Sequence, residues 1–179
     1  MITPQTSSLW LHRLLFVALA AVLLFLHLLP LDATPSRFPG PDLLLCLAFA
    51  WVQRRPDYLP PLLLAGVFLM TDILLMRPPG LFTALVVLGA EFLRSRHQGS
   101  VELPFPAEWL FTSVAVAGVN LGYVLVLGIT AAPHAAWSMA AVQTVMTIIF
   151  YPLVVLLVRL SFNLRRLTPG EFDPSGARR

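Results

Sequence analysis

The chain has 179 residues, 58% hydrophobic and 12% charged, with a mean hydropathy of +0.80 and a net charge of +3. A soluble domain of this size has no core large enough to hide so much apolar surface, whereas a bilayer absorbs it. The single cysteine forms no internal disulfide, the four histidines lack metal-ligand spacing, and no basic stripe with interleaved aromatics marks a nucleic-acid face.

The first apolar run, Leu14–Leu31, follows Arg13. At 1.5 Å per residue its roughly 18 residues cross about 27 Å of hydrocarbon. A basic residue before an apolar run also suits a signal peptide, but the length and the five runs that follow favour an anchor that stays. A short Pro-containing connection, Asp32–Pro41, leads to the second run, Asp42–Gln53, which at about 12 residues is marginal for a span. Asp42 opens it, where a carboxylate accepts hydrogen bonds from the first free N–H groups and meets the positive end of the helix dipole. The third run, Leu59–Met76, holds Asp72 about one turn from its far end near Arg77. An ionisable group inside a membrane is a functional candidate by default. Two readings stand here: an interfacial carboxylate that reaches headgroup water or pairs with Arg77, which is favoured, and a buried contact that sets helix packing or receives a ligand. The fourth run, Pro79–Leu93, is again short, and Glu91 is spaced to pair with Arg94 at i,i+3.

The fifth run, Trp109–Ile129, contains Gly118-Val119-Asn120-Leu121-Gly122, a G-x-x-x-G pattern that lets helices approach closely. The sixth, Ala136–Leu160, places Ala140, Thr144, Thr147 and Tyr151 on one face with Gln143 beside it. Such a stripe faces protein, because lipid leaves its polar groups unpaired; an internal packing seam is favoured over a substrate path.

Six apolar runs predict an all-α polytopic membrane protein with six transmembrane helices, since a spanning helix satisfies its own backbone and no segment alternates like a barrel strand. The charges orient it. All twelve basic side chains are arginine. Ten of them (Arg13, Arg54, Arg55, Arg94, Arg96, Arg159, Arg165, Arg166, Arg178 and Arg179) fall in one set of gaps, and Arg37 and Arg77 in the other. The positive-inside rule then puts both termini of this multi-pass inner-membrane protein in the cytoplasm. Removing either short run scrambles the alternation; a re-entrant second or fourth run is the alternative. Residues 1–167 read as one transmembrane domain and 168–179, rich in Pro, Gly and charge, as a disordered cytoplasmic tail. Catalysis finds no motif: there is no H-E-x-x-H, no phosphate-cradling glycine loop and no convergent reactive pair, so no catalytic, cofactor or metal residue is assigned.

Pro41-Asp42-Leu43-Leu44, Trp51, Arg54-Arg55-Pro56-Asp57, Gly66, Asp72-Ile73-Leu74-Leu75, Pro78-Pro79-Gly80 and Glu91-Phe92-Leu93-Arg94 follow one another in an order that resembles the rod shape-determining protein MreD family. The likeness is sharpest over Pro41–Arg96, and Tyr151-Pro152 also suits it. It implies a fold similar to the six-helix, membrane-embedded substrate-binding subunit of energy-coupling-factor transporters. It also implies that the membrane is a bacterial inner membrane and the protein a non-catalytic scaffold or regulator of side-wall peptidoglycan synthesis and cell shape, the elongasome. The implied partners are MreC, and in a larger assembly RodA, a class B penicillin-binding protein, RodZ and MreB, with membrane lipid around them and no nucleic acid. Asp72, Gly66, Pro79 and Gly80 match family motif positions in structural roles. The second likeness supplies the alternative, a small-molecule-binding membrane subunit of a transporter.

Overall fold

A computed structural model of the protein describes residues 4–29, 40–54, 56–97, 104–130 and 137–162. Each apolar run becomes a helix: α1 (Pro4–Leu28), α2 (Leu43–Arg54), α3 (Pro61–Leu74), α4 (Leu81–His97), α5 (Phe105–Ile129) and α6 (Trp137–Phe162), with a 3₁₀ turn over Pro56–Tyr58. α1 and α5 start ahead of their apolar runs, because hydropathy marks where lipid ends and not where backbone hydrogen bonding ends. Prolines set two of the starts. Pro60 precedes α3 and Pro104 precedes α5 in extended conformation, and each helix has Pro in its first turn, where no N–H partner is needed. The tail expected from residue 168, and Arg37, Arg55, Arg165, Arg166, Arg178 and Arg179, lie outside the described residues.

The stretches Leu9–Leu28, Phe105–Ile129 and Trp137–Leu160 are long and apolar enough to cross a bilayer, which marks the chain as a helical membrane protein. α2 has only 12 residues, about 18 Å of rise. Its length has a structural reason: every residue from Leu44 to Arg54 is buried, with α6, α4, α1 and α5 packed around it. A central helix touches no lipid and has no hydrocarbon thickness to match. Its aromatic side chains anchor the core. The Trp51 ring meets Phe16 of α1 edge-on at 5.7 Å, and Phe49 reaches Gly89 of α4.

Close helix approach occurs at Gly89 and Gly122. A Cβ on Gly89 would lie 3.0 Å from Phe49 Cζ and 3.2 Å from Val119 Cγ2, and one on Gly122 would lie 3.1 Å from Leu85 Cδ2. The G-x-x-x-G pattern of α5 therefore does not form one internal seam. Gly122 faces α4, while a Cβ on Gly118 would meet nothing within 4 Å. Gly118 lies on the exposed face that also carries Leu110, Val114, Leu121 and Leu125.

α6 runs through Pro152 to Phe162. Proline has no N–H, so the carbonyl four residues back, at Ile148, loses its helical donor. Trp109 of α5 supplies one: its indole Nε1 donates to Ile148 O at 3.0 Å. The proline thereby creates the acceptor that holds α5 against α6.

Candidate functional site

At one end of the bundle Asp72 closes α3 and opens α4. Its side chain is fully buried. Oδ2 accepts from Gly80 N at 3.1 Å, Thr83 N at 3.2 Å and Thr83 Oγ1 at 2.8 Å. The carboxylate thus performs the N-cap role at the positive end of the α4 dipole from the preceding helix, because Gly80 has no side chain to do so. This corrects the favoured interfacial reading: Asp72 contacts the start of α4, and the Arg77 guanidinium instead lies over the Phe82 ring at 4.9 Å. The main chain of Asp72 closes α3. Arg77 N donates to Asp72 O at 2.9 Å and Met76 N to Ile73 O at 3.2 Å, the two bonds of a Schellman cap. Met76 holds the left-handed position at φ 51° and Gly80 follows at φ 88°. Pro79, between them, is exposed.

The α2–α6 contact is polar at the same end. Asp42 Oδ1 accepts from Leu45 N at 3.0 Å, a helix cap. Asp42 N donates to Thr147 Oγ1 at 3.0 Å, and Cys46 Sγ donates to Thr147 O at 3.3 Å. Thr147 Oγ1 in turn donates to Gln143 O, and Thr144 Oγ1 to Ala140 O at 2.8 Å, so both hydroxyls also satisfy their own helix. Along this stripe Thr147 and Tyr151 are buried and Ala140 and Thr144 half-buried. Between the ends of α1, α2, α3 and α6 a cavity of about 230 Å³ is lined by His27, Asp42, Thr71, Arg77 and Gln143 among leucines and Phe68.

The opposite end holds a cluster that sequence reading missed. Arg54, expected as a headgroup anchor, is buried with its Nη2 3.7 Å from Glu108 Oε1, and Glu108 is fully buried. Tyr151 OH donates to Glu108 Oε1 at 3.2 Å. Gln53 Nε2 donates to Glu108 O at 3.2 Å and to Thr112 Oγ1. Arg54 counted among the arginines between apolar runs, and Glu108, one residue before the fifth run, drew no reading of its own. Their signal was weak: a base at the last residue of α2 and an acid in the first turn of α5, with a tyrosine on a polar stripe. Nearby, Arg94 pairs with Glu91 as the i,i+3 spacing predicts and also donates to Leu59 O, which ties the α2–α3 connection to α4.

Gly66 is exposed beside α1, and Asn120 carries a buried Nδ2 without a hydrogen-bond partner. The structure therefore brings Asp42, Thr147 and Tyr151 together along the α2–α6 seam. It leaves Asp72, Gly80 and Pro79 in the α3–α4 turn, and Gly118 outside. Among the described residues the two buried acids, Asp72 and Glu108, stand at opposite ends and form no dyad. Among the described residues no group of three His, Cys, Asp or Glu side chains is placed to hold a metal ion. Chemically, the arrangement fastens helices to one another. No family model, curated protein or solved structure matches the chain.

Proposed function

We propose that the protein is a non-catalytic inner-membrane scaffold of the MreD type. On this reading it crosses the bilayer six times with both termini in the cytoplasm and helps assemble the elongasome through helix contacts with an MreC-like partner. The observation that carries the reading is Gly118. In a bilayer, helices associate where small residues let backbones approach, because apolar side chains gain nothing by leaving lipid. Gly118 is a notch in the exposed apolar face of α5 that no described helix fills. The carboxylates add support, since half-buried Asp42 and buried Asp72 serve as helix caps and buried Glu108 faces Arg54 and Tyr151.

The test is co-purification from native membranes with partners identified by mass spectrometry. Gly118→Leu leaves yield and thermal stability near wild type but removes most of the MreC-like partner. Undiminished recovery with Gly118→Leu and also with Gly118→Trp overturns this contact. A second reading, a small-molecule-binding subunit of a transporter, is favoured by the cavity beside Arg77 and Gln143. It predicts loss of solute uptake, with normal partner recovery, on Arg77→Gln.

A further inference from the structure

α1 packs on α3 loosely, and the space between them is a continuous apolar trough. One part, about 430 Å³, is lined by Trp10, Arg13, Leu14, Pro60 and Leu62. The next, about 360 Å³, is lined by Ala20, Ala21, Leu24, Gly66 and Met70. The two share Val17, Leu62 and Leu63. The floor is low because Ala20, Ala21 and Gly66 carry little or no side chain, and a Cβ on Gly66 would meet nothing within 4 Å. From Trp10 to Leu24 the trough follows α1 for about 21 Å, against about 15 Å of hydrocarbon in one leaflet. It therefore accommodates one acyl chain and reaches the headgroup layer.

The charge at its mouth selects what fills it. Arg13 lines the trough and lies over the Trp10 ring at 5.5 Å, a pair suited to the membrane interface. Among the described residues no carboxylate lies within ion-pairing distance of Arg13, and its Nε is buried without a hydrogen-bond partner. Such a donor in a membrane protein calls for an acceptor. A phosphate diester at the interface supplies acceptor oxygens in the geometry a guanidinium binds. Its chain enters the trough without leaving the apolar phase.

We propose that the α1–α3 trough holds one anionic phospholipid, its phosphate on Arg13 and an acyl chain along Val17, Ala20, Ala21 and Gly66. The lipid supplements the sparse contact between α1 and α3 and orients α1. It comes from the leaflet on the Arg13 side. This site is distant from Gly118 and does not depend on the partner proposed above.

The test is native mass spectrometry of the full chain released from detergent, titrated separately with phosphatidylglycerol and phosphatidylcholine of the same chain length. Wild type retains phosphatidylglycerol about fivefold better, the factor expected of one interfacial arginine. Arg13→Gln brings the two lipids to near parity, and Arg13→Lys restores part of the preference. Gly66→Phe fills the floor and removes tight binding of both lipids. A melting curve in detergent separates that loss from misfolding, because an unfilled trough leaves the α2–α6 and α3–α4 contacts untouched. Equal retention of both lipids by wild type overturns the proposal, as does an unchanged preference in Arg13→Gln. A second copy of the chain in place of lipid, seen as a dimer that Gly66→Phe dissolves, also overturns it.

Discussion

Glu108 takes on four neighbours at once: its carboxylate meets Arg54 and Tyr151, and its main-chain oxygen accepts from Gln53 and Thr112. Thr112 Oγ1 donates to that oxygen at 2.9 Å. The cluster joins α2, α5 and α6 where solvent is excluded. Removing one partner of such a pair leaves the other charge buried, which costs about 3–5 kcal/mol, whereas removing both costs far less. Glu108→Ala should therefore destabilise the protein by that amount in detergent unfolding, and Arg54→Met with Glu108→Met should recover most of it. Additive losses in the double variant would mean that the two charges do not interact. The cluster was not legible because Arg54 and Glu108 lie just outside the second and fifth apolar runs, where hydropathy places the interface. Only the depth of α2 inside the bundle makes them interior.

The α3–α4 hairpin depends on one residue used twice. Asp72 accepts at its backbone oxygen for the end of α3 and at its carboxylate for the start of α4. Asp72→Asn keeps an acceptor oxygen but loses the charge–dipole attraction, about 0.3–1 kcal/mol for most helix termini. Asp72→Leu leaves the N–H groups of Gly80 and Thr83 unsatisfied, about 1–3 kcal/mol for each buried group. On the proposed cell-shape function, rod-shape rescue in a deletion strain, at matched membrane levels, should thus be largely retained by Asn and reduced by Leu. Equal and complete loss would point to an obligatory carboxylate. Met76 offers a gain in the same turn. It occupies a left-handed C′ position that glycine prefers, and it is 95% exposed. Met76→Gly should raise stability by about 1 kcal/mol, measured as a higher melting temperature; a drop would mean that the exposed side chain contributes more than the strain.

For the molecule as a whole, the proposed topology rests on the arginine split and on six helices of unequal length. With Arg54 inside the bundle, the count of interfacial arginines on the inner side is one lower, yet the asymmetry stands at nine to two among the twelve. Fusing a periplasm-active and a cytoplasm-active reporter to residue 179 tests it: the cytoplasmic signal is expected, and a periplasmic one would remove the even-span arrangement.

What the sequence determined by itself is the class: apolar runs of helical length, bounded by proline and arginine, can satisfy their backbone in lipid only as helices. Asp42 at a helix start and the Glu91–Arg94 pair were equally legible, because caps and i,i+3 pairs are local. The tertiary structure decided which helix lies at the centre, which glycine of a symmetric-looking motif packs and which stays outside, and that Arg54 and Glu108 meet. Those outcomes depend on the rotation of each helix about its axis. In an all-apolar helix the sequence pattern barely distinguishes a lipid-facing side from a protein-facing one, since both are apolar; the choice falls to shape, at positions such as Gly89 against Phe49 and Gly122 against Leu85.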